Sequence, residues 1–168
     1  MTNKSIISRQ RVVDHGEVFT STLVVNAMLD LVKQETERID SRFLEPACGD
    51  GNFLSEILNR KLIIVEGRYS KSQKELDKYS LVAITSIYGV ELLEDNVARC
   101  REKLFEIYLD WYSSISQERQ NEQLFDCVKF VLSKNIIHGD ALTLKTVGKN
   151  EEPIIFSEWS FTQNMVKR

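Results

Sequence analysis

The segment Glu45-Pro46-Ala47-Cys48-Gly49-Asp50-Gly51-Asn52-Phe53 limits what this chain can fold into more than any other stretch. A predicted strand over Arg42–Pro46, with Phe43 and Leu44 at its apolar centre, leads into it. A helical pattern leaves it: Phe53, Leu54, Ile57, Leu58 and Leu62 recur at helical spacing from Asn52 onward. Gly49 and Gly51 permit positive φ and leave the backbone bare, so a ligand can touch it. The unpaired N–H groups at the helix start add donors. The plain alternative is a tight connection with no ligand.

The rest of the chain repeats the same unit. After Thr20, Ser21 and Thr22, any of which can cap a helix, Leu23, Val24, Ala27, Met28, Leu31 and Val32 fall at helical spacing. A helix is expected over Gln73–Ala83 and a second strand over Ser86–Val90. Glu94–Trp111 is an amphipathic helix with Val97, Cys100, Leu104, Ile107 and Trp111 on one face. A further helix over Gln117–Leu132 precedes a third strand at Asn135–His138, and the apolar run in Pro153–Ser157 suggests a fourth. Strand and helix alternate, which predicts an α/β fold, Rossmann-like, with a mostly parallel sheet and helices on both faces. Its 168 residues make one domain, which begins with a polar arm over residues 1–17. Ligands of such sheets sit at the carboxyl ends of the strands.

Composition narrows the function classes. The net charge is −3, from 22 basic and 25 acidic residues. A domain that grips nucleic acid unaided usually carries a basic surplus. The cysteines, Cys48, Cys100 and Cys127, are odd in number and lack a C-x-x-C pair, which points to reduced thiols and a cytoplasmic protein. Met1–Arg11 has no apolar core of a signal peptide, and no stretch approaches the roughly 18 apolar residues of a membrane span. His15 and His138 form no metal-binding spacing, so neither a metal nor a membrane is expected.

Three strand ends carry the chemistry. A dinucleotide site needs a third glycine at position 54, where Leu54 stands, and no G-K-S/T follows for a P-loop. S-adenosylmethionine demands less, because it has no phosphate and ends in an amino acid. Glu45, Asp50 and Asn52 are suitably polar for that end. Glu91, after the second strand, can accept from both ribose hydroxyls; alternatively it is a charge favouring the next helix's dipole. Asp140, after the third strand, can accept from an adenine amine while Leu142 packs on the ring; alternatively it caps a turn. The ordered set of three is more specific than any member.

Phe43-Leu44-Glu45-Pro46-Ala47-Cys48-Gly49-Asp50-Gly51-Asn52-Phe53 resembles the cofactor-binding motif of adenine-N6 DNA methyltransferases of restriction–modification systems. His15-Gly16-Glu17-Val18-Phe19-Thr20-Ser21 is similar to the F-T-P segment that precedes it, with Ser21 in place of proline. Ile87–Leu92 and Ile136–Leu142 resemble the next two motifs in order. The resemblance implies a class I methyltransferase fold that binds S-adenosylmethionine. It places Phe19, Thr20, Glu45, Ala47, Cys48, Gly49, Asp50, Gly51, Asn52, Phe53, Glu91, Leu92, Asp140, Ala141 and Leu142 at the cofactor.

The family's catalytic motif, D/N/S-P-P-Y/F, is expected after the fourth strand. Its first residue and a proline carbonyl accept from the target amine, and its aromatic stacks on the flipped base. Here Ser157-Glu158-Trp159-Ser160 follows, and the only prolines are Pro46 and Pro153. Ser157 and Trp159 are the catalytic candidates, while the plainer reading makes Trp159 and Phe161 core or interface aromatics. The expectation is a cofactor-binding part of a methyltransferase, incomplete in residues 153–168 and inactive alone. DNA would then be met only within a complete enzyme or with a restriction–modification partner subunit. Two alternatives remain open: a small working methyltransferase using Ser157 and Trp159, and an assembly module whose surface is Trp159, Phe161 and Lys167-Arg168.

Overall fold

The computed structural model describes residues 9–15, 20–116, 121–148, 150–162 and 165–167. Within them the chain is α/β, with seven helices and a four-stranded mixed sheet. The strands are β1 (Phe43–Glu45), β2 (Ile87–Glu91), β3 (Ile136–Asp140) and β4 (Lys145–Thr146), in that spatial order. β1, β2 and β3 are parallel, with Glu45 opposite Gly89 and His138 opposite Glu91. β4 folds back antiparallel on β3, pairing Gly139 with Thr146. The carboxyl ends Glu45, Glu91 and Asp140 therefore lie along one end of the sheet.

The helices between parallel strands are α4 (Asn52–Tyr69), α5 (Gln73–Thr85), α6 (Glu94–Ile115) and α7 (Glu122–Asn135). Three of the four start at a glycine turn or a side-chain cap. Gly51, at φ +89°, caps α4. The Ser72 hydroxyl accepts from the Glu75 N–H at α5, the S-x-x-E pattern of a capping box. Asn121 accepts from the Leu124 N–H at α7. Along α4, Leu54, Leu58, Leu62 and Val65 fall on one buried face. α6 buries Val97, Cys100, Leu104, Tyr108 and Tyr112; the predicted stripe through Ile107 and Trp111 turns onto the tyrosines, whose hydroxyls reach Ser80 and Asp77 of α5.

α4 to α7 pack on one another and on the sheet face that carries Ile87, Gly89 and Ile136. The core lies between them. The opposite face carries Tyr88 and Gly139, and among the described residues it is crossed by an extended segment, not by helices. Ile154 sits over Gly139 and the Phe156 ring meets Tyr88 edge-on at 5.7 Å. The expected fourth strand at Pro153–Ser157 is this segment. Only Pro153 makes a bridge there, to Lys145. Ile154 and Phe156 rest against the sheet while Ile155 stays 74% exposed, and pairing stops at the Lys145 edge, where the Ile154 N–H donates to the Leu144 carbonyl (2.8 Å). The strand that does pair with β3 is Lys145–Thr146, set by a turn in which Leu144 takes φ +57°.

The predicted helix after Thr22 divides. α2 (Thr22–Asp30) ends before Leu31, and a short α3 (Lys33–Thr36) follows, both packed on α4. Of the N-terminal arm, α1 (Arg9–His15) is described. Ser160–Thr162 and Met165–Lys167 form a separate hairpin, β5 and β6. No described helix is long and apolar enough to cross a membrane, and no group of three or more metal-ligating side chains occurs among the described residues.

Candidate ligand-binding site

A cleft of about 560 Å³ opens at the carboxyl ends of β1, β2 and β3. Its walls are the glycine turn, the β2–α6 connection and the β3–β4 turn. Of the residues expected at a cofactor, Thr20, Glu45, Ala47, Cys48, Gly49, Asp50, Asn52, Phe53, Glu91, Leu92, Asp140, Ala141 and Leu142 line it. Phe19 lies outside the described residues. Gly51 is buried behind the turn, where its Cα faces the Cys100 thiol.

The turn is built from both glycines. Gly49 and Gly51 adopt φ +54° and +89°. The Cys48 N–H donates to the Val90 carbonyl (3.0 Å) and the Gly51 N–H to the Cys48 carbonyl (2.8 Å), which clamps the turn onto β2. α4 then presents its first N–H groups, which have no partner within the helix, toward the cleft. The Cys48 and Cys100 thiols are in hydrogen-bonding reach behind the turn, and this contact, together with burial, pushes the Cys48 thiol well above its ordinary range. It stays protonated and packs as a small apolar group.

Glu91 is the best-held side chain of the site. Its Oε2 accepts from the Gly49 N–H (2.8 Å); its Oε1 accepts from the Leu93 N–H (2.9 Å) and the Asn96 Nδ2 (3.4 Å). A carboxylate offers about four lone-pair sites, so one remains for a ligand hydroxyl. Asp140 accepts from the Leu142 N–H (2.8 Å), which holds its carboxyl below the usual range. This is the turn-capping role considered from sequence, and the Thr143 hydroxyl and N–H act on the same carboxyl. Glu45 behaves oppositely: burial pushes its carboxyl up, partly offset by the Ala47 N–H. Asp50 Oδ2 lies 3.5 Å from Lys103 Nζ, and its buried Oδ1 has no hydrogen-bond partner among the described residues. A buried oxygen left so is costly unless something else donates to it.

Four carboxylates, those of Glu45, Asp50, Glu91 and Asp140, thus line the cleft. No Lys, Arg or His lines it among the described residues. Such a cleft repels phosphates and attracts a cation. Its apolar rim is Leu92, Ala141 and Leu142; the Leu142 side chain is almost fully exposed, at 97%.

Sequence reasoning missed Pro46, Leu93, Asn96 and Gly139 at the cleft. Asn96 carried a signal, a polar residue on the side of α6 that leads to Val97 and Cys100, and it is 1% exposed. Ser157 and Trp159 do not line the cleft. The Ser157 carbonyl accepts from the Tyr88 hydroxyl (2.9 Å), and Trp159 Nε1 donates to Asn135 Oδ1 (2.8 Å) at the amino end of β3. Trp159 also packs edge-on against Phe130. Both are at the far side of the sheet from the carboxylates.

Compared with protein-family models, with curated proteins and with solved structures, the chain matches none of them.

Proposed function

We propose that this chain binds S-adenosylmethionine, and that it is the cofactor-binding part of an adenine-N6 DNA methyltransferase of the restriction–modification type. The observation that carries the reading is the cleft at the ends of three parallel strands, lined among the described residues by four carboxylates and by no Lys, Arg or His. The arrangement supports a Rossmann-like methyltransferase layout. S-adenosylmethionine is a sulfonium cation without phosphate, so this charge favours it over a dinucleotide.

The residues present fit the group. The Glu45 carboxylate suits its ammonium, and Asp50 Oδ1 offers an acceptor still lacking a donor. The first N–H groups of α4 suit its carboxylate. Glu91, oriented by three donors, keeps one acceptor site that suits a ribose hydroxyl. Asp140 suits the adenine amine, with Leu92 and Leu142 flanking the ring. When bound, the cofactor supplies an electrophilic methyl group. Residues that hold and activate the target base then come from outside the described residues, because Ser157 and Trp159 do not line the cleft.

Titration calorimetry of the purified chain tests this. S-adenosylmethionine and S-adenosylhomocysteine should bind, and NAD and ATP should not. No tritiated methyl should reach DNA from the chain alone. Absence of binding by both adenosyl ligands would sink the reading. Methyl transfer to adenine that Ser157→Ala abolishes would replace it with the small working enzyme.

A further inference from the structure

A helix of seven residues such as α1 is not stable alone in water, so its place is set by tertiary contacts. One contact is a fork. Arg11 donates from Nη1 to Asp95 Oδ2 (2.9 Å) and from Nη2 to Asp95 Oδ1 (3.2 Å), across 84 positions of sequence. Bidentate guanidinium–carboxylate pairs are the geometrically demanding kind. Nη2 also reaches Asn96 Oδ1 (3.5 Å). Asp95 sits in the first turn of α6, where a carboxylate is favoured by the helix dipole, and it also accepts from Arg99.

Asn96 connects this fork to the cleft. It is buried, and its Nδ2 donates to Glu91 Oε1 (3.4 Å) while Glu91 Oε2 holds the Gly49 N–H. The hydrogen bonds are continuous from α1, through the start of α6 and the end of β2, to the glycine turn. The chain after the arm is tied to the same cleft, since Asn52 Nδ2 donates to the Thr20 carbonyl (3.4 Å) and Asn52 Oδ1 accepts from Lys103 (2.6 Å). Asn96 and Asn52 both line the cleft.

We propose that Arg11 is a positioning residue of the cleft: through Asp95 and Asn96 it couples the seating of α1 to the hydrogen bonds of Glu91 and the glycine turn. A ligand that bonds Glu91 then tightens the arm, and the seated arm slows the ligand's departure. Coupling of this kind is reciprocal. The inference rests on the cofactor reading only for the identity of the ligand.

The test uses the full chain with Arg11→Ala, Arg11→Lys and Asp95→Asn, probed with S-adenosylhomocysteine and by amide hydrogen exchange. Arg11→Ala should weaken binding at least about 5-fold, the lower bound of ordinary coupling, mostly through faster release. Arg11→Lys keeps the charge but loses the fork, and should fall between. In the parent chain the ligand should slow exchange across residues 9–15; in Arg11→Ala and Asp95→Asn it should not. Binding by Arg11→Ala equal to the parent, or exchange in residues 9–15 indifferent to the ligand, overturns the proposal. If the parent binds no adenosyl ligand, the cofactor reading fails by itself. The coupling is then read without ligand: faster Gly49 amide exchange in Arg11→Ala supports it, and unchanged exchange overturns it.

Discussion

Replacing Gly51 by alanine separates two reasons why glycine is needed at the head of α4. The first is torsional. Gly51 sits at φ +89° and ψ 27°, in the left-handed region, where an L side chain costs about 1–2 kcal/mol. The second is steric. A Cβ built on Gly51 lies 2.7 Å from Cys100 Sγ and 3.5 Å from Cys100 Cβ. The sulfur is far inside contact distance and belongs to a fully buried side chain of α6, so overpacking adds about 1–3 kcal/mol. Gly51→Ala should therefore lose about 2–5 kcal/mol, a large part of the 5–15 kcal/mol that ordinarily holds a domain together. Urea denaturation followed by circular dichroism reads this as a lower midpoint at an unchanged slope. Cys100→Ala in the same chain removes the sulfur and leaves the 3.5 Å contact, which is ordinary van der Waals spacing. The double variant should recover the steric share and keep the torsional one. The double-mutant cycle should then show a coupling of about 1–3 kcal/mol. A Gly51→Ala chain within about 0.5 kcal/mol of the parent, a size typical of surface substitutions, would refute the reasoning. So would strict additivity with Cys100→Ala, because the two side chains would then not be competing for one space.

Three further outcomes follow from the same geometry. Burial raises the Glu45 carboxyl in the folded chain, so the proton it keeps there contributes stability below its unfolded value and that contribution is lost as pH rises through the folded one. Glu45→Gln should accordingly stabilise the ligand-free chain at neutral pH. An ammonium ligand needs the ionised form, so S-adenosylhomocysteine affinity should fall on acidification through that range in the parent and not in Glu45→Gln. Glu91→Ala leaves the donors of Gly49, Leu93 and Asn96 without their acceptor, and should cost about 3 kcal/mol by urea melts and abolish binding; unchanged stability would show that those donors find other partners. Lys61 is wholly buried among the carbonyls of Ile39 and Ser41 and the Ser86 hydroxyl, and burial brings its ammonium down to about 7 from 10.5. Between these values the unfolded chain binds the proton and the folded chain does not, so stability should rise with pH. The rise is at most about 3 kcal/mol from pH 7 to 9, at 1.36 kcal/mol per unit, and Lys61→Met should erase it; an equal slope in both chains would refute the assignment.

The parts of the site legible in the sequence are those where one residue type answers a backbone demand. Gly49 and Gly51 were visible because positive φ at a strand-to-helix turn leaves few other choices. Glu91 and Asp140 were visible because each follows a buried β-run, and a polar residue there marks where the sheet ends. The ends of β2 and β3 moved by one or two residues without disturbing this, since the acid stays at the strand terminus. The illegible parts depend on what a side chain meets across the fold. Ile154-Ile155-Phe156 has the composition of a strand, but composition does not say what each side chain meets. Gly139 leaves a space for Ile154 and Tyr88 offers an edge for Phe156, so these two rest on the sheet, Ile155 stays exposed, and pairing stops at the Lys145–Pro153 bridge. Lys145 and Thr146 have no apolar signal at all, and pair with β3 because the preceding turn delivers them to its open edge. Asn135 shows the same limit from the polar side. In sequence it opens the expected third strand; in the structure it is the last residue of α7. In the fold it is fully buried, donates to the Ile87 carbonyl (2.9 Å) and accepts from Trp159 (2.8 Å). That last bond holds Trp159 at the amino end of β3, away from the carboxylates. Under the proposed function a stacking aromatic stands beside the cleft, and Trp159, packed on Phe130, does not line it.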